Sequence, residues 1–164
     1  MERYGFLWHE VGWIPMPVEA KRTVFVGTFT HAVDDKKRVS IPAKWRAAAS
    51  GSNEFCVLPD PKRHLLVLPQ PVVEKMMEKA DEMSLGDDRR DILRVIAAEG
   101  HTTPCDKTGR VVLTDALLQH AGITNEAVLV GVLNKFEIWS PDRYAAAKSA
   151  ATANLAEAAK QLGI

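Results

Sequence analysis

Apolar and polar positions roughly alternate over residues 24–33, and the β-branched content of that run predicts a strand. Asp34 to Lys37 supply turn chemistry, and a second strand through Ile41 completes what reads as a hairpin. Pro42 fits the first position of a helix, where a missing N–H costs nothing, and the helix continues through residues 43–49 to Ser50 and Gly51. Two apolar runs, residues 55–58 and 65–68, flank Pro59-Asp60-Pro61 and predict a second hairpin. Beyond Pro69 and Pro71, Val73, Met76, Met77 and Ala80 recur at helical spacing, and the methionines read as core filler. Asp87 and Asp88 open another helix, with Ile92, Leu93, Val95 and Ile96 apolar, that ends at Gly100.

The same order then repeats. Asp34-Asp35-Lys36-Lys37-Arg38-Val39-Ser40-Ile41-Pro42 returns as Asp106-Lys107-Thr108-Gly109-Arg110-Val111-Val112-Leu113-Thr114, 72 residues later. A strand leads to Cys105, and a helix capped by Thr114 closes near Gly122. Apolar runs at 127–130 and 136–139 match the second hairpin of the first half. Ser140 and Pro141 then start an alanine-rich helix toward Leu162, whose apolar stripe is thin and is expected to fray unless a neighbouring subunit covers it.

Residues 1–23, with Trp8, Trp13, Pro15 and Pro17, have no counterpart and read as an irregular arm, either mobile or packed on a neighbouring subunit. The organisation is an extension (1–23), a first half (24–86), a linking helix (87–98), a second half (99–143) and a C-terminal helix (144–164). Halves this small bury an adequate core only by sharing one.

The chain has 164 residues and formal net charge zero, so nothing global points to nucleic acid or membrane. Locally, Lys36, Lys37, Arg38, Lys44 and Arg46 outnumber Asp34 and Asp35. Two cysteines, Cys56 and Cys105, stand outside any CxxC pattern and read as small buried hydrophobes in a reducing compartment. No apolar run approaches the roughly 18 residues of a membrane span, which predicts a soluble, cytoplasmic protein. The five histidines form no metal-binding spacing, no serine or cysteine sits in a nucleophile elbow, and Gly109-Arg110 falls between strands rather than before a helix. The residues therefore predict no enzyme, no metal, no cofactor and no small-molecule ligand.

Two readings of the repeated turns stand side by side. In one, Asp34 and Asp106 accept backbone N–H bonds and pair with Arg38 and Arg110 as local clamps. In the other, the aspartates hold the loops while the arginines, with Lys36, Lys37 and Lys107, project toward phosphates and base edges, as a β-hairpin in a major groove would.

The paired Asp…Arg motifs, Leu118-Gln119-His120-Ala121-Gly122, and Leu129-Val130-Gly131 followed by Asn134-Lys135-Phe136-Glu137-Ile138-Trp139 resemble the MraZ family over residues 24 to about 145. The resemblance implies an α+β fold of two tandem AbrB-like halves, swapped as hairpins over a shared β-core with flanking helices. It implies a ring-forming homo-oligomer that binds double-stranded DNA at promoter direct repeats. Such a protein would regulate the bacterial division and cell-wall gene cluster, as a repressor, in the cytoplasm and at the nucleoid. DNA contact would fall to Arg38 and Arg110, aided by Lys36, Lys37 and Lys107, with Asp34, Asp106 and Gly109 shaping the loops.

Two departures in the motifs stand out. Lys37 occupies the place of a usual glycine, so the first turn either avoids positive φ or accepts strain while gaining a charge. The second motif has Thr114 and Asp115 in place of Pro42 and Ala43, which implies weaker DNA contact from its loop. The rival expectation is a ring-forming adaptor that binds a protein partner, its turns purely structural.

Overall fold

A computed structural model of the chain describes residues 6–9, 12–15, 23–47 and 54–164. The segments rich in Val, Ile, Leu and Phe become strands because their branched and aromatic side chains pack on a pleated surface. In chain order the strands are β1 (Phe6–His9), β2 (Gly12–Pro15), β3 (Thr28–Ala32), β4 (Arg38–Ser40), β5 (Glu54–Pro59), β6 (Leu65–Leu68), β7 (His101–Pro104), β8 (Arg110–Val112), β9 (Glu126–Gly131) and β10 (Phe136–Trp139). The helices are α1 (Ala43–Arg46), α2 (Gln70–Asp81), α3 (Arg89–Ala98), α4 (Asp115–Ala121), α5 (Pro141–Thr152) and α6 (Leu155–Leu162).

The fold is α+β, built on a six-stranded antiparallel sheet in the order β3-β9-β10-β6-β5-β7. That order is a palindrome of the two halves. His31 pairs with Ala127 as Thr103 pairs with Phe55, each partner shifted by the 72-residue repeat. A separate two-stranded ribbon joins β4 to β8, and Val39 faces its own counterpart Val111 at the pseudo-two-fold axis.

Residues 24–41 do not pair with one another as the predicted hairpin. β3 pairs with β9 and β4 with β8, both in the other half, and only the turn itself is closed locally, by Lys37 N–H to Asp34 O at 3.0 Å and Asp34 N–H to Arg38 O at 3.1 Å. Its first strand is also shorter than expected. Gly27, at φ 105°, bends the chain, and Phe25 forms an isolated bridge to Leu133 instead. The β5–β6 and β9–β10 hairpins form as predicted.

The exchange places both halves in one core. Trp45, 1% exposed, stands at its centre, with ring centroids 5.6 Å from Phe25, 5.1 Å from Phe29 and 5.0 Å from Phe136. Phe55 meets Phe136 edge to face at 5.5 Å. Leu65 and Val67 from the first half and Leu113, Leu117, Leu129 and Ile138 from the second complete the cluster.

Several helix expectations change. Pro42 is the N-cap of α1 rather than its first residue, and the stretch beyond Ala47 lies outside the described residues. Met76 is only partly buried and Met77 is exposed, so the methionines do not fill the core: α2 lies on the outside of the sheet and buries no residue fully. The alanine-rich C-terminal helix is two helices, because Asn154 leaves helical geometry (φ −115°, ψ 16°) and stands at the N-cap of α6, without a capping bond from its side chain. Thr114 accepts a bond from Leu117 N–H and Ser140 from Arg143 N–H, as the capping signals predicted. Part of the N-terminal arm, expected to be irregular, is a strand pair, with Trp8 and Trp13 as backbone partners in the β1–β2 register.

Truncating the side chain shared by both halves tests the single core. Trp45→Ala is expected to cost about 3–5 kcal/mol, read by urea denaturation as one cooperative transition. Two separate transitions would mean that the halves fold independently.

Candidate nucleic-acid interface

Each repeated turn is organised by its aspartate. Asp34 Oδ1 accepts the backbone N–H of Lys36 (3.0 Å) and Arg38 (2.8 Å), while Oδ2 accepts Arg38 Nε at 2.6 Å. Asp106 repeats the pattern with Thr108 N–H, Thr108 Oγ1 and Arg110 N–H, all at 2.9 Å, and Arg110 Nε at 3.0 Å. Both carboxyls ionise more easily than usual. Burial works against the charge of Asp34, but the N–H groups and guanidinium of Arg38 and the Lys36 N–H outweigh it. The Arg110 N–H leads the same balance at Asp106 and takes it from the ordinary 3.8 to about 2.

Ladder bonds then bring the two turns together. Ile41 N–H donates to Gly109 O (2.8 Å) and Leu113 N–H to Lys37 O (2.9 Å), so each loop is tied to the strand of the other half. Arg110 Nη1 lies 3.9 Å from Asp34 Oδ2. Arg38 and Arg110 thus stand on one surface, each partly exposed and each held at Nε by its own aspartate. Lys36 and Lys107 are exposed on the same loops and form no ion pair among the described residues.

Lys37 has φ 61°, so the first turn keeps the left-handed shape of Gly109 (φ 79°) in spite of its side chain. That strain is of order 1–2 kcal/mol. Its ammonium reaches Asp115 Oδ1, at the start of α4, at 2.6 Å, so it is already paired within the protein.

Two contributors were not recognised as site residues in the sequence. Asp115 appeared only as a departure from the first motif, and Arg46 only as part of a basic run. Arg46 Nε donates to Ile41 O at 2.8 Å, and its guanidinium lies over Gly109 so closely that a Cβ there would collide with it. No local pattern signals either contact, since each crosses from one half to the other.

Among the described residues no three His, Cys, Asp or Glu side chains group as a metal site, and no helix is long and apolar enough to cross a membrane. Cys105 is buried and Cys56 partly so, and burial pushes both thiols up, away from nucleophilic use.

Comparison with known proteins agrees with this architecture. The model of the family described as "MraZ protein, putative antitoxin-like" matches twice, over residues 24–95 and 96–162. The chain is 39% identical to the transcriptional regulator MraZ of Thermomicrobium roseum, over 75% of this chain and 86% of that protein. It is 37% identical to the protein of that name from Nitrosomonas europaea, over 71% and 80% respectively. The figure for Leuconostoc mesenteroides is 33%, over 75% and 85%.

The two loops respond differently to exchange of their left-handed residue. Lys37→Gly relieves about 1 kcal/mol of strain but loses an exposed ion pair of about 0–1 kcal/mol, so the melting temperature should hardly move. Gly109→Ala adds strain and displaces Arg46, and should lower it clearly. Equal effects would contradict this account of the turns.

Acid titration checks the aspartate clamps. The carboxyl of Asp106 is depressed in the folded state, so its contribution is complete above 3.8 and is lost as pH falls toward about 2. The melting-temperature gap between wild type and Asp106→Asn should therefore be constant above that window and close within it. Acid-sensitive groups elsewhere, such as Asp87 beside Arg89 and Glu137 beside His64, cancel in the difference. A gap that stays open at the bottom of the window would remove the clamp.

Proposed function

The chain belongs to the MraZ family, whose matched members are transcriptional regulators and not enzymes, and from that premise we propose that it binds double-stranded DNA through its paired Asp-x-x-x-Arg loops. One observation carries this reading: the β4–β8 ribbon brings Arg38 and Arg110 together on one surface, each with its carboxylate partner beside it. The aspartates satisfy the loop N–H groups and one guanidinium edge. The other edge of each arginine is available for phosphate or for a guanine, where a bidentate contact discriminates by about 1–3 kcal/mol. Lys36 and Lys107 add charge on either side, and Lys37 adds to it when its bond to Asp115 opens.

A subunit with 21 basic and 21 acidic residues has no global attraction for DNA, so repetition must supply affinity. We take the active form to be a homo-oligomeric ring whose subunits occupy successive direct repeats, with effective concentration multiplying a weak single contact. Met77, Ile92 and Val95 on α2 and α3, and Leu155 and Leu162 on α6, are each more than half exposed and suit contact between subunits. The DNA is the promoter region of the bacterial division and cell-wall gene cluster, and binding there represses transcription at the nucleoid.

A mobility-shift titration with the upstream region of the chain's own operon decides the matter. Wild type should shift a duplex carrying several repeats far more tightly than one carrying a single repeat, and a folded Arg38→Ala/Arg110→Ala variant should not shift either. Retained binding by that variant would make the turns structural clamps, and equal affinity for one repeat and several would remove the avidity.

A further inference from the structure

The pseudo-two-fold axis makes the two loops alike in backbone and unlike in charge. The 72-residue shift relates Lys37 to Gly109, Ala43 to Asp115 and Arg46 to Leu118. Leu118 is buried, so the counterpart of Arg46 brings no cation over the first loop in the way that Arg46 lies over the second. The first loop instead receives a carboxylate, Asp115, which takes up the Lys37 ammonium at 2.6 Å. With these neighbours counted, the first loop carries Lys36, Lys37 and Arg38 against Asp34, Asp35 and Asp115, and is neutral. The second carries Lys107, Arg110 and Arg46 against its own Asp106, and is doubly positive, with Asp34 Oδ2 of the first loop 3.9 Å from Arg110 Nη1.

We propose that Arg46 is a further DNA-contacting residue, delivered by the first half onto the loop of the second. With Asp115 muting Lys37, it makes the reading face electrostatically lopsided, so that each protomer seats on the duplex in one orientation. Arg46 is built for this. Its Nε is fixed on Ile41 O and its plane rests on the backbone at Gly109, while the side chain is exposed and its terminal nitrogens have no partner among the described residues. A guanidinium anchored in this way loses little further freedom on meeting a phosphate. The doubly positive loop gains most from the polyanion, which reverses the ranking implied by the sequence. A reader with two equivalent loops would accept both directions of a duplex; direct repeats need one.

This inference rests on the DNA-binding reading above, and fluorescence anisotropy across a salt series separates the two. The probe is a labelled duplex of the chain's own upstream region, titrated with wild type, Arg46→Gln, Arg46→Lys, Lys37→Gln, Asp115→Asn and the Arg38→Ala/Arg110→Ala variant. Arg46→Gln should weaken binding roughly tenfold at about 0.1 M salt and flatten the log–log salt slope by about 0.9 for each protomer engaged. Arg46→Lys, which keeps the charge, should retain that slope. Asp115→Asn should tighten binding several-fold, and Lys37→Gln should cost less than Arg46→Gln.

A wild-type slope in Arg46→Gln overturns the proposal. So does a loss in Arg46→Lys as large as that in Arg46→Gln, which would make Arg46 a prop for the Gly109 turn. Unchanged affinity in Asp115→Asn together with equal losses for Lys37→Gln and Arg46→Gln would abolish the lopsided face. Binding that survives in the Arg38→Ala/Arg110→Ala variant, or is absent in wild type, refutes the DNA reading itself and this inference with it.

Discussion

The exchange of strands between the halves is the constraint from which the rest of the structure follows. A buried backbone N–H without a partner is costly, and β3, β4, β7 and β8 find their partners only in the opposite half. Neither half therefore closes its hydrogen bonds alone. The core obeys the same rule: Trp45 from the first half packs on Phe136 from the second, and Phe55 meets the same ring from the other side. Burial and backbone pairing demand the same topology, which is the consistency that gives a chain one fold.

The exchange also builds the candidate site, because it brings together two turns that lie 72 residues apart. Each aspartate serves its loop through one carboxylate oxygen, which accepts the backbone N–H groups, and its arginine through the other. An arginine held at Nε is aimed without being used up. In the proposed function, a surface this small gains affinity from repetition, and in the further inference it gains orientation from the places where the internal symmetry fails.

The seam between β6 and β10, on the same axis, is held by polar contacts of a different kind. His64, 3% exposed, stacks on Trp139 with centroids 4.0 Å apart, and its Nε2 lies 2.8 Å from Glu137 Oε2. Burial resists the charge of Glu137, but bonds from His64 and from Trp139 Nε1 hold its carboxyl below the usual range. Nearby, Arg143 Nη1 donates to both Arg63 O and His120 O, and His120 Nε2 lies 2.7 Å from Asp60 O. The turn of one half is thereby docked on the helices of the other, away from the arginine loops.

What the sequence determined on its own was whatever is encoded within a few residues. The Thr114 and Ser140 caps, the β5–β6 and β9–β10 hairpins, and the Asp-to-Arg turns all rest on contacts of short range, and composition and spacing reveal them. The resemblance to a known family supplied the swapped arrangement, which periodicity cannot, since β3 and β4 look like any local hairpin until their partners are known. Exposure of Met77, the break at Asn154 and the left-handed Lys37 were decided by what the tertiary structure places, or fails to place, against them. So were the parts of the site that set its charge. Arg46 over Gly109 and Asp115 on Lys37 join residues far apart in the chain, and only the fold decides which charges meet, because electrostatic interaction depends on distance in space.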